Sequence, residues 1–239
     1  MTRRLILLRH GQTEFNATGR MQGHLDTQLS PIGRQQAEAA ADFLETLHIT
    51  KIVASDLSRA YDTAVAVGQR LNVSVQQDPR LRETDLGQWQ ARSHAELDAD
   101  FPGLRAYWRH DPTWAPPGGE SRIDVAKRAR AVVDELMEAY KQWDDSTVLI
   151  VAHGGTISAL TGSLLGFEVA QFPLLSGIGN TCWAQLTARP QFLLDDVVSD
   201  QSDRFTPANI DTAKWYLDGW NMGVALGRTS IANADMGEA

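Results

Sequence analysis

Two apolar runs in this chain, one near its start and one near residue 150, end on a histidine followed by glycine. The first is Leu5-Ile6-Leu7-Leu8, closing on Arg9-His10-Gly11; the second spans Thr147 to Ala152 and closes on His153-Gly154-Gly155. Such runs are too short for a helix and suit a strand buried on both faces. Glycine after each histidine lets backbone come close to a ligand. In an open α/β sheet, ligands sit beyond the carboxyl ends of the strands. If both strands lie centrally in one parallel sheet, their imidazoles arrive at the same edge. Either terminus alone reads equally well as an ordinary strand end, whereas a chance repeat of the whole arrangement is much less frequent.

The rest of the chain alternates strands with helices. Gln12 to Leu29 reads as a long polar loop without an element of its own, a pattern typical of functional loops. Ser30 caps a helix with Pro31 at its first position, and Ala37, Ala40, Ala41, Leu44 and Leu47 give it one buried face. A strand follows over Lys51 to Ser55, then a helix over Asp56 to Arg70 and a short strand over Val73 to Val75. From Thr84 to Glu120 the pattern is irregular. Ser93 and Glu96 form a capping box for a short helix, and a second helix covers Leu104 to His110. This stretch reads as a small helical lid over the strand ends, or equally well as a structural excursion. Ser121 caps a long helix to about Trp143, and another helix covers Thr156 to Leu165. Strands are expected over Thr181 to Leu186 and Trp215 to Leu217, with 188–212 as an edge hairpin or surface loop. The expected fold class is α/β: a three-layer α/β/α sandwich with a mostly parallel sheet and helices on both faces. Residues 1–221 are expected to form a single domain with the lid at about 84–120, and 222–239 a disordered tail.

Composition narrows the partners. A chain of 239 residues with net charge −8 does not suit nucleic acid or an anionic membrane as its main partner. Phosphates still fit such a chain if its few cations converge locally. The single cysteine, Cys182, excludes an internal disulfide and a multi-cysteine metal site, and reads as a small buried residue in a strand. The apolar run after the N-terminal arginines is too short for a secretory signal or a membrane span, so a cytoplasmic location is expected.

Two further segments carry chemistry. Ser55-Asp56-Leu57-Ser58-Arg59-Ala60-Tyr61-Asp62-Thr63-Ala64 leaves a strand and starts a helix, placing Arg59 where the helix N-terminus already favours an anion. Glu83, in Leu81-Arg82-Glu83, follows a strand and suits a proton donor, although a solvated carboxylate fits there too. Together with Leu-Arg-His-Gly-Gln-Thr and Ala-His-Gly-Gly, and with Leu-Arg-Glu-Thr-Asp-Leu-Gly-Gln-Trp at residues 81–89, the chain resembles the histidine phosphatase superfamily, in its phosphoglycerate mutase-like branch. The motifs follow in order from Leu5 to about Leu186.

That resemblance implies roles. His10 would attack phosphorus and become a phosphohistidine. Arg9, Arg59 and His153 would hold the equatorial oxygens of the transferring group. Thr13 and Asn16 would add neutral hydrogen bonds, and Gln22, Gly23 and Gly154 would line the pocket. Glu83 would protonate the leaving alkoxide and then take a proton from water. No metal ion and no cofactor is implied, and the partner is a small phosphomonoester. Mutases of this type carry a tyrosine three residues after the catalytic glutamate; here that residue is Leu86, which favours hydrolysis over phosphoryl transfer between hydroxyls. A phosphoglycerate mutase, a broad sugar or glycerate phosphatase, and an inactive phosphate binder stay open. Residues 80–90, 108–122, 179–183 and 215–221 extend the resemblance to phosphatases of a glucosylated 3-phosphoglycerate. Arg109, His24 and Trp114 are conceivable contacts for carboxylate and sugar. Relatives of this kind are often dimers, so a homodimer is expected.

Overall fold

A computed structural model describes residues 2–191 and 204–224. In chain order its elements are β1 Arg3–Arg9, α1 Glu14–Ala17, α2 Pro31–Leu44, β2 Ile49–Ala54, α3 Ser58–Leu71 and β3 Val75–Gln77, with α4 His94–Asp100 and α5 Leu104–His110 after them. The chain continues with α6 Arg122–Ala139, β4 Thr147–Ala152, α7 Gly154–Leu164, β5 Trp183–Arg189 and β6 Lys214–Met222. The strands form one sheet in the order β3-β2-β4-β1-β5-β6. β1, β2, β3 and β4 run parallel to one another, whereas β5 is antiparallel to both β1 and β6.

Alternation along the central strands builds two cores. Leu5 and Leu7 of β1, with Val148 and Ile150 of β4, pack against Val133 of α6 and Ile157 of α7. Ile6 and Leu8, with Leu149 and Val151, pack on the other face against Leu44 of α2 and Ala60, Ala64 and Val67 of α3. A strand buried on both faces needs apolar side chains at both parities, which is why β1 and β4 are unbroken apolar runs. The three-layer arrangement and the mainly parallel sheet stand as the sequence indicates.

The register fixes the site. Leu8 pairs with Val151 and Arg9 with Ala152, and the His10 amide donates to the Ala152 carbonyl at 3.1 Å. His10 and His153 therefore each follow the last paired residue of adjacent parallel strands.

Several boundaries differ from the sequence reading, each for a local reason. The 12–29 loop contains α1, capped by Thr13 with Asn16 at its third position rather than the usual Glu or Gln. α3 ends on Asn72 in the left-handed region at φ 54°, which delays β3 to Val75. Tyr140 breaks the helix after Ala139, and residues 141–143 form a separate 3₁₀ turn. The two glycines after His153 begin α7 rather than precede it. Thr181 adopts φ 51°, so β5 starts only at Trp183 and Cys182 sits half-buried in the preceding turn, not in the strand. β6 reaches Met222, so Met222 is strand and not tail; 225–239 and 192–203 lie outside the described residues.

Two glycines bring the N-terminus of α2 onto the strand end. A Cβ at Gly11 would stand 2.3 Å from the Gly33 carbonyl oxygen, and one at Gly33 would stand 2.0 Å from that of Gln12. The excursion after β3 carries a small core of its own, with Trp89 fully buried against Trp108, Trp114, Leu97 and Phe101. No helix among the described residues is long and apolar enough to cross a membrane.

Candidate active site

The imidazoles of His10 and His153 lie with ring centroids 5.1 Å apart, both buried. His10 Nδ1 is 2.7 Å from its neighbour's carbonyl, Gly11 O. A carbonyl only accepts, so Nδ1 carries the proton and Nε2 keeps a lone pair. Burial, followed by the charges of Arg59 and Arg9, pushes the His10 pKa well below 6.5. A neutral ring with a free Nε2 is a nucleophile across the physiological range. His153 is lowered too, by burial first and then by Arg59 and His10, and neither of its ring nitrogens has a hydrogen-bond partner among the described residues.

These shifts set a pH dependence of stability. In the unfolded chain both histidines titrate near 6.5, whereas in the folded chain they stay neutral well below that value. Unfolding then takes up protons that the native state refuses, so stability is full above the unfolded pKa and falls as pH drops through it. The limiting slope is about 1.4 kcal/mol per pH unit for each histidine. Denaturant midpoints measured from pH 7.5 down to 5 are expected to fall, and less steeply in His10→Ala; an identical slope in that variant would contradict a neutral buried His10.

Arg59 is fully buried at the start of α3. Its two terminal nitrogens donate to Leu25 O at 2.8 Å and Gly23 O at 2.9 Å, and its Nε has no partner among the described residues. Burial lowers its pKa to about 10, which still leaves it charged at neutral pH. The 12–29 loop is thus wrapped around this guanidinium, and Asp26 fastens it by accepting from the Ser58 amide at 2.7 Å. Arg9 donates to Ile178 O at 2.6 Å.

Glu83 is held by the start of α7. Its carboxylate accepts from the amides of Gly155 and Thr156, each at 3.2 Å, and from the Thr84 amide at 2.8 Å. The first amides of a helix have no partner inside it, so they suit an anionic side chain. The Glu83 carbonyl accepts from His24 Nε2 at 2.8 Å and from Arg128 at 2.9 Å.

One pocket collects Arg9, His10, Asn16, Gln22, Gly23, Arg59, Glu83 and Gly154 from the sequence-read set. His153 adjoins it through His10. Thr13 is a correction: it is buried with its hydroxyl 3.0 Å from both Asn16 Oδ1 and Gln22 Oε1, which share its one proton, so it braces those two side chains and does not line the pocket. Arg109, His24 and Trp114 do not line it either; Trp114 packs on Trp89 at 5.5 Å. Instead His94, Trp108 and Arg122 do, together with Arg20, Leu86 and Asn180. Asn180 donates to His10 O at 3.0 Å and to Asn16 Oδ1 at 3.3 Å, tying the start of the site loop to the turn before β5. A Gly-Asn pair ahead of a strand was the sequence signal for it; Arg122 and His94 had none beyond their neighbouring caps. Among the described residues no cluster of His, Cys, Asp and Glu has the make-up of a metal site.

The arrangement offers a nucleophile, convergent cations and a carboxylate at one end of a pocket. Comparison with known proteins agrees with that chemistry. The sequence profile of the histidine phosphatase superfamily (branch 1) matches residues 5–193. A glucosyl-3-phosphoglycerate phosphatase of Mycobacterium tuberculosis is 49% identical over 225 residues, covering 92% of this chain and 94% of the relative. A Proteus mirabilis protein named as a probable phosphoglycerate mutase is 34% identical over 167 residues, covering 68% and 74%. The solved structure of a mycobacterial glucosyl-3-phosphoglycerate phosphatase complexed with VO3 superposes with a TM-score of 0.82 at 49% identity, covering 92% of this chain and 100% of that one.

Proposed function

Because this chain belongs to the histidine phosphatase superfamily (branch 1) and is a phosphatase, we propose that it hydrolyses the phosphate ester of glucosyl-3-phosphoglycerate, releasing glucosylglycerate, with the roles set out below. The observation that carries the reading is the pair of buried imidazoles at 5.1 Å, with Arg59 and Arg9 lining the same pocket end. The substrate itself is supported by the near full-length relatives that act on it.

His10 Nε2 attacks phosphorus in line with the ester oxygen. Glu83 takes up the proton of the substrate monoanion as it binds, and as the P–O bond breaks it gives that proton to the departing alkoxide. Arg9, Arg59 and His153 take the charge on the equatorial oxygens, with Asn16 and Gln22 beside them. A water molecule then attacks the phosphohistidine, Glu83 accepts its proton, and inorganic phosphate leaves His10 neutral again. Leu86 supports hydrolysis over transfer, since it puts an apolar wall in the pocket where mutases of this type present a tyrosine hydroxyl.

Phosphate release across glucosyl-3-phosphoglycerate, 3-phosphoglycerate and p-nitrophenyl phosphate tests the substrate. The glucosylated compound is expected to give the highest kcat/KM, and a flat panel would reject it. Formation of 2-phosphoglycerate from 3-phosphoglycerate and its bisphosphate, without phosphate release, would reject hydrolysis. Glu83→Gln is expected to slow alkyl esters by about 10²- to 10⁴-fold and aryl esters far less, because only alkoxides need a proton to leave. Equal losses for both would remove Glu83 as the acid.

The reading extends to setting. A phosphorylated metabolite is charged and stays on the side of the membrane where it is made, which supports a cytoplasmic enzyme. A homodimer is supported by β6, an edge strand with exposed Tyr216 and Met222 along it. Light scattering giving the mass of one chain would reject the dimer.

A further inference from the structure

At the side of the pocket built by the excursion, Arg122 contradicts the rules for its position. It is the first residue of α6, where the helix dipole disfavours a cation. It is half-buried, and burial together with nearby Arg109 pushes its pKa down. No carboxylate forms an ion pair with it among the described residues; its partners are the Trp108 carbonyl at 2.8 Å and the Trp108 ring, whose centroid lies 5.1 Å from the guanidinium carbon. Arg20, in contrast, is spent on the Ala91 carbonyl and on Glu96. A guanidinium has five N–H donors, so Arg122 keeps a fork available for a planar anion. Trp108 supplies an independent sign: it lines the same pocket, is 7% exposed, and its buried Nε1–H has no acceptor among the described residues. Local rules broken without compensation inside the chain mark a functional position.

We propose that Arg122, stacked on Trp108, receives a carboxylate on the alcohol portion of the substrate and so gives the enzyme its preference for acidic phosphomonoesters. The proposal rests on the phosphatase reading of the same pocket. His10 and its cations hold the phosphoryl group, and Arg122 holds the second anion in the same pocket, which Met21 and Leu86 also line.

The test compares 3-phosphoglycerate with glycerol 3-phosphate, which keeps the ester and lacks the carboxylate. In Arg122→Gln the ratio of their kcat/KM values is expected to fall about 10- to 100-fold, the loss typical of a hydrogen-bonded charge pair. Arg122→Lys keeps a cation and is expected to recover part of that ratio. The dissociation constants of the same two compounds, measured in a His10→Ala background with and without Arg122→Gln, should show the same change without turnover. A wild-type enzyme that releases no phosphate would overturn the phosphatase reading, while this binding ratio would still judge Arg122. An unchanged ratio in both formats, whatever the loss in overall rate or thermal midpoint, would overturn the role of Arg122.

Discussion

Replacing His10 by alanine is expected to lower phosphate release below about one hundredth of wild type for every substrate, aryl esters included, because no later step can proceed without the covalent intermediate. The loss should appear in kcat, with binding of inorganic phosphate largely kept, since the guanidiniums remain. Folding should be preserved. His10 follows the last paired residue of β1, and its side chain gives one hydrogen bond, to its own neighbour's carbonyl. Rapid-quench labelling should detect an acid-labile, base-stable phosphoryl group on the wild type and none on the variant. Residual turnover near one tenth would assign the nucleophile elsewhere.

The second large effect is expected at Arg59. Its guanidinium is buried, charged and bound to the chain through two carbonyls, so it is positioned before substrate arrives. Arg59→Met is expected to reduce kcat/KM by about 10²- to 10³-fold, the usual cost of losing one fixed donor to a transition-state oxygen. Arg59→Lys should restore only a small part of this. Lysine supplies charge, but not the planar fork that bonds Gly23 and Leu25. Full rescue by lysine would mean that Arg59 acts as a point charge alone. The pH dependence of kcat in the Met variant adds a check, since Arg59 is a charge that helps keep His10 neutral.

Much of this site was legible in the sequence, for identifiable reasons. β1 and β4 are buried on both faces, and only continuous apolar runs satisfy that requirement, so they stood out. The starts of α2, α4 and α6 were legible because Ser30, Ser93 and Ser121 act on amides only three residues away. His10, Arg59 and His153 stood out because each closes a strand or opens a helix, whereas Glu83 lies in a loop beyond the 3₁₀ turn at Pro79–Leu81 and stood out only through its motif. What stayed hidden depends on longer range. Thr13 lies beside the phosphate residues in sequence, yet its hydroxyl is drawn off by Asn16 and Gln22. His94 opens α4 within the excursion and Arg122 opens α6 over the Trp108 ring, and no periodicity encodes their approach to the pocket. The late start of β5 follows from one left-handed residue, Thr181, whose composition gives no warning.

The register between β1 and β4 divides the enzyme into a part that cannot drift and a part that can. His10 and His153 stand one residue past paired positions on neighbouring strands. A single-residue insertion or deletion in either strand would turn one imidazole to the opposite face and end all turnover. The stretch carrying Leu86, His94 and Trp108 is held instead by its own tryptophans and by backbone hydrogen bonds to Met21. Exchanging that stretch is expected to change which alcohols are admitted while phosphate release from p-nitrophenyl phosphate persists.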